Sequence, residues 1–101
     1  MAGFFRSGKS RFDLGQNFPN PFNSETLIRF ALPTPGVAEL AIYSLIGQKV
    51  ATLIDGLRPA GVYMVHWDGR DDQGQVLASG VYLYRLRTGK QVETRKLMLM
   101  E

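Results

Sequence analysis

The sequence contains no cysteine, one histidine and one tryptophan. Without cysteine there can be no disulfide framework and no thiolate metal site. Nucleophilic catalysis through a histidine would rest on His66 alone. It would need a serine or cysteine brought beside that ring and a carboxylate to orient it. His66 alternates against Tyr63, Val65 and Trp67, which turns it toward solvent or a sheet edge. Long apolar runs are also missing: none approaches the roughly 18 residues of a membrane span. No stretch has a convincing helical period. The glycines neither follow a strand nor open a helix as a phosphate-binding loop requires.

Charge of one sign is scarce outside the first residues. The formal net charge is +3, but Arg6, Lys9 and Arg11 stand together without an acid. From Asp13 onward nine bases balance nine acids. A neutral domain does not suit nucleic-acid binding, which wants a basic patch on the folded surface. Residues 1–12 lack a clear period and read as a linker or expression remnant, expected to be disordered. Met1–Arg6 is too short and wrongly ordered for a signal peptide, so export would need a signal outside this stretch. The remaining residues, 13–101, are enough for one domain with a thin core.

What is present is period-two alternation. The tripeptide Gly-Val-Tyr occurs twice, at Gly61-Val62-Tyr63 and Gly80-Val81-Tyr82, and each copy opens an alternating run. Tyr63, Val65 and Trp67 share one face; Tyr82, Tyr84 and Leu86 share another. Ile28, Phe30 and Leu32 form a further face, as do Leu40 and Ile42. Lys49–Ile54 reads as a strand, Asp55–Pro59 as a loop, and Gln91–Met100 as a final strand with Leu97 and Leu99 on one side. Phe18-Pro19-Asn20-Pro21-Phe22 cannot enter a central strand and suggests a clip across a sheet edge. Six or seven short strands at spacings of roughly 8–12 residues predict an all-β, immunoglobulin-like or fibronectin-like antiparallel sandwich of about seven strands. Tyr82 falls where such sandwiches place a tyrosine corner.

Two clusters have competing readings. Asp68, Asp71 and Asp72 form the best metal candidate, with calcium the ion that flexible oxygen-rich loops take. They lack the spacing of a known calcium loop, and Asp68-Gly69 and Gln73-Gly74 also suit tight turns in which aspartate bonds local amides. The favoured expectation is no cofactor. Tyr63, Trp67, Tyr82 and Tyr84 could stack on sugar rings, or they could be the core that a thin sandwich needs.

Leu14-Gly15-Gln16-Asn17-Phe18-Pro19-Asn20-Pro21-Phe22-Asn23 resembles the opening of C-terminal modules on secreted proteins of the Bacteroidetes. Ile28-x-Phe30-x-Leu32-Pro33, Ile42-Tyr43, Gly47-Gln48-x-Val50, Ala60-Gly61-x-Tyr63, Trp67-Asp68-Gly69, Ser79-Gly80-Val81-Tyr82 and Thr94–Leu99 continue the match in order. The chain resembles a type A C-terminal sorting domain of the type IX secretion system. It is also similar to the immunoglobulin-like domain of the flagellar hook-capping protein. The resemblance implies a non-catalytic module of a larger exported protein, often a hydrolase lying N-terminal to it. The implied partners are the type IX machinery and a sortase-like peptidase at the outer membrane, and the implied location is the medium or the cell surface. It implies a recognition signal at Gly80, Tyr82, Gly89, Lys90, Thr94, Arg95, Lys96, Leu97, Met98 and Leu99. Two other functions compete: a carbohydrate-binding module of a secreted glycoside hydrolase, and a passive spacer or assembly domain. The chain is expected to be a monomer with no nucleic-acid partner. Its last strand is expected to be an edge whose free amides and carbonyls a receptor reads by strand addition.

Overall fold

The computed structural model describes residues 11–100. Most of the segment expected to be a linker lies outside the described residues. Of its last two residues, Phe12 packs against the core. Seven strands form: β1 (Asp13–Leu14), β2 (Thr26–Leu32), β3 (Gly36–Tyr43), β4 (Lys49–Arg58), β5 (Gly61–Trp67), β6 (Gly80–Thr88) and β7 (Gln91–Leu99). They build two antiparallel sheets, β1-β2-β5 and β4-β3-β6-β7. There is no helix among the described residues, and the expected all-β, immunoglobulin-like sandwich is what forms.

The alternation decides which side chains meet. Ile28, Phe30 and Leu32 of one sheet face Leu40, Ile42, Tyr84, Leu86, Leu97 and Leu99 of the other, all nearly inaccessible to water. Trp67 is 3% exposed and closes one end of this core. Its ring lies 5.6 Å from Phe22 and 6.2 Å from Tyr82, edge-on to the latter. Tyr63 stacks flat on Phe30 at 5.0 Å. Such pairs add about 0.5–1.5 kcal/mol to what area burial gives.

The repeated tripeptide has a repeated structural cause. Gly61 and Gly80 take φ of 150° and 154°, a backbone conformation that suits glycine. Two residues on, each tyrosine turns its hydroxyl back to a carbonyl four residues upstream. Tyr63 Oη donates to Pro59 O at 2.6 Å and Tyr82 Oη to Ala78 O at 2.7 Å. Tyr82 therefore forms the expected tyrosine corner, and Tyr63 forms a second one.

Two elements differ from the sequence reading. Asp55–Arg58 is not a loop; β4 continues through it, pairing Ala38 with Gly56 and Gly36 with Arg58. Register shifts in the β3–β4 ladder, between Leu40 and Ala41 and between Ile42 and Tyr43, break the simple alternation there. The two-residue β1 is also new. It pairs Asp13 with Ala31 and Leu14 with Phe30.

The proline segment is a clip, as expected. Its anchor is the buried hydroxyl of Tyr84, which donates to Gly15 O (2.6 Å) and accepts from Asn17 N–H (2.9 Å). Asn17 is itself buried and donates to Pro19 O and Thr26 Oγ1. Burial pushes the Tyr84 phenol above its ordinary pKa, which keeps the donating proton in place. Tyr84→Phe keeps the ring but leaves a backbone N–H and a carbonyl without their partner. It should destabilise the domain by about 1–3 kcal/mol in urea denaturation, with faster amide exchange at Asn17.

Candidate functional site

The residues proposed for recognition centre on β7 and its neighbour β6. A two-residue turn, Gly89-Lys90, joins them, with Thr88 opposite Gln91 and Gly89 at φ 55°. From there β7 alternates. Leu97 and Leu99 enter the core, while Thr94, Lys96 and Met98 stand on the outer face. Glu93 and Arg95 lie on the inner side beyond the core and are half-buried.

That placement corrects the expected free edge. Arg95 Nε donates to Leu14 O, and Glu93 Oε1 accepts from Leu14 N–H. The two side chains thus grip both backbone groups of one β1 residue and join the sheets. Further along, Asn20 Oδ1 accepts from Met98 N–H at 2.9 Å, and Gln16 Nε2 donates to Lys96 O at 2.9 Å. Phe22 N–H donates to Met98 O, and Met100 N–H donates to Phe22 O. The clip therefore occupies the C-terminal half of the β7 edge. Arg95 is a structural tie rather than a free base.

The candidate residues sort by position. Leu97, Leu99 and half-buried Tyr82 belong to the packing, and Gly80 and Gly89 to the backbone turns. Lys90, Thr94, Lys96 and Met98 are exposed. On the outer face Leu83 pairs with Lys96 and Arg85 with Thr94. This brings in residues the sequence reading did not single out. The Arg85 guanidinium lies 4.7 Å over the Tyr43 ring and donates to its hydroxyl at 2.7 Å. Glu39 accepts from Lys49 at 2.6 Å and from Arg87 at 3.2 Å. The alternation Val81-Tyr82-Leu83-Tyr84-Arg85-Leu86-Arg87 carried the signal that Arg85 and Arg87 point outward.

The other clusters resolve differently. Asp68 Oδ1 accepts from Arg70 N–H, and Asp71 Oδ1 from Gln73 and Gln75 N–H. Asp72 Oδ1 accepts from Thr52 N–H, and Asp72 N–H donates to Val50 O, so this loop covers part of the β4 edge. The aspartates are turn formers; among the described residues no group of three or more His, Cys, Asp or Glu is placed to hold a metal. Gly69, at φ 77°, fits beneath Leu99, where a Cβ would come within 3.2 Å of the side chain. His66 meets Glu25 on the surface through Nδ1, both side chains more than half exposed. Trp67 and Tyr84 are buried, and Tyr63 and Tyr82 face inward, so these four form no exposed aromatic row.

Arg95→Ala should lower stability by about 1.5–3 kcal/mol, because it removes a charge-assisted bond to a half-buried carbonyl. Lys96→Ala, one residue on, should stay within about 0.5 kcal/mol. Thermal or urea unfolding of the pair checks this. The hydrogen bond from Lys49 holds the Glu39 carboxyl below its ordinary range and raises the Lys49 ammonium. The Glu39 contribution is therefore complete above its unfolded pKa and is lost as pH falls through the folded one. The Lys49 contribution is lost instead as pH rises through its raised value. Since the pair is partly exposed, each share is below about 1 kcal/mol. Glu39→Gln should lower the urea midpoint at neutral pH, and the gap from wild type should narrow below about pH 4.

Comparison with known proteins agrees with this architecture. Over 85% of its length the chain superposes on 11% of PorZ, with a TM-score of 0.58 and 19% identity. PorZ is described as an essential bacterial surface component of the type IX secretion system of Porphyromonas gingivalis. The chain thus spans about a ninth of that protein. Over 78% of its length it superposes on 67% of FlgD from P. aeruginosa, with a TM-score of 0.56 and 22% identity. No curated protein matches the sequence. Residues 17–91 match the FlgD Ig-like domain family, and this chain belongs to that family.

Proposed function

We propose that this chain is a non-catalytic C-terminal module that directs a larger secreted protein through the type IX secretion system and onto the cell surface. One observation carries the reading. The two stretches that most resemble sorting modules, Leu14–Asn23 and Thr94–Leu99, lie against each other, bonded through Leu14, Gln16, Asn20 and Phe22. Separate in sequence, they form one edge of the sandwich. The fold likeness to a domain-sized part of PorZ, a type IX surface component, supports the same reading. The partners are then the export machinery and a sortase-like peptidase at the outer membrane, with the cargo N-terminal to the module.

On this reading the receptor meets the outer face of β6 and β7 rather than a bare strand edge. Thr94, Lys96 and Met98 are available there, beside Leu83 and Arg85. The family match favours a second reading, a passive assembly domain like that of FlgD. A sugar-binding surface has less support, since the aromatics it would use are packed inside.

The test is a reporter fused to the N-terminus of the full chain in a type IX-competent host. The unaltered fusion should reach the cell surface. Thr94→Ala combined with Lys96→Ala should fold normally and leave the reporter inside the cell. Retention of the unaltered fusion would support the passive domain. Surface delivery of the double variant would take the outer face of β7 out of the signal.

A further inference from the structure

The sandwich has three strand edges away from β1, and the chain treats them unequally. The clip covers half of β7, and the Asp72 loop covers the start of β4. The β5 edge is left. Phe18 and Leu27 exchange backbone bonds, and Arg29 O accepts from Gly15 N–H, so odd-numbered β2 residues address the clip side. The even-numbered residues then bond β5, with Ile28 opposite Val65 and Phe30 opposite Tyr63. Val62, Met64 and His66 must therefore turn their N–H and C=O groups to the open side. Among the described residues nothing accepts or donates there.

This edge also lacks the usual protection. Val62–His66 contains no lysine, arginine, acid or proline. Val62 and Met64 are 51% and 58% exposed on the outer face of the same strand. A rigid backbone supports them, because Tyr63 is stacked on Phe30 and tied to Pro59. An edge without lysine, arginine, acid or proline, and unpaired among the described residues, is a template for strand addition.

We infer that β5 is a self-association edge, on which a second copy of this chain pairs its own β5 antiparallel about a two-fold axis at Met64. The sequence of the strand favours this occupant. Met64 exchanges bonds with Met64 of the second copy, so apolar groups meet at the axis, and Val62 faces His66 of the second copy, so no like charges oppose each other. The outer face of the small sheet is also polarised along the strand. Glu25 sits beside His66 at one end, and Arg11 and Arg29 outweigh Asp13 around the hollow at Val62 toward the other. Antiparallel pairing sets the acidic end of one copy beside the basic end of the other. The contact joins only one short strand per copy, so it is weak and concentration-dependent. It departs from the expectation of a monomer and is independent of the export reading.

Sedimentation velocity of the full chain, from about 10 μM to about 1 mM, tests the inference. The sedimentation coefficient should rise toward a dimer. Met64→Lys, at an exposed position, should weaken association by about tenfold or more without lowering the melting temperature. Met98→Lys, on the outer face of β7, should leave it unchanged. Amide exchange at Val62, Met64 and His66 should slow as concentration rises. A monomer throughout the range would overturn the proposal, as would association lost in Met98→Lys and kept in Met64→Lys. Protection of those amides at every concentration, abolished by removing residues 1–10, would instead assign the edge to the chain's own N-terminal segment.

Discussion

The hydroxyl of Tyr84 is the one group on which both ends of the domain depend. Prolines 19 and 21 have no amide hydrogen, so Gln16–Asn23 cannot be held by a strand ladder. Something else must fix it, and a buried phenol can both donate and accept. Tyr84 does both, to Gly15 O and from Asn17 N–H, against a core of aliphatic and aromatic side chains. Asn17 and Thr26 extend this into a small network, and among the described residues no buried side-chain polar atom lacks a partner. A satisfied polar network of this kind specifies a single arrangement, because any displacement leaves buried groups unpaired.

From that anchor the treatment of the strand edges follows. With Gly15 and Asn17 fixed, Leu14 is placed where Glu93 and Arg95 reach both its backbone groups. The chain then crosses to the other sheet, where Asn20 and Phe22 satisfy Met98 and Met100, before it returns as β2. A segment unable to form a regular strand thereby seals the junction of two sheets. Among the described residues the opposite side has no such segment. There Asp72 borrows the start of β4 through a side chain and a backbone bond, and among the described residues nothing covers β5.

Most of the fold was legible because period two is a strong signal where a strand has one buried face. Ile28, Phe30 and Leu32, or Tyr82, Tyr84 and Leu86, announce their side of the sheet directly. The reading failed where that signal weakens. At Asp55–Arg58 an acid and a glycine look like a loop, but Gly36–Glu39 of β3 pair with these residues in regular register and carry the strand on. β1 is too short to show any period. Arg95 was misjudged for a different reason. Alternation put it on the inner side of β7, yet its charge suggested solvent; beyond the end of the apolar core a long side chain can lie inward and still find a carbonyl. Nothing local in the sequence states that Leu14 would be there to meet it. The aspartates were legible as turn formers, since Asp-Gly and Gln-Gly spacing suits side chains that accept from local amides.

A terminal strand that is also a core strand restricts what a partner can read. Leu97 and Leu99 cannot leave the interior without opening the sandwich, and Arg95 cannot leave Leu14 without freeing β1. From Thr94–Leu99 the folded domain can therefore present only Thr94, Lys96 and Met98, together with their neighbours on β6. Any receptor that depended on Leu97 or Leu99 directly would have to bind an unfolded tail. Substitution at those leucines cannot separate recognition from stability, whereas substitution on the outer face can. The fixed inner face also keeps the outer one in register. Each outward residue stands between inward neighbours that are tied to β1 or buried, Glu93, Arg95, Leu97 and Leu99, so the outer face is held in register by the side beneath it.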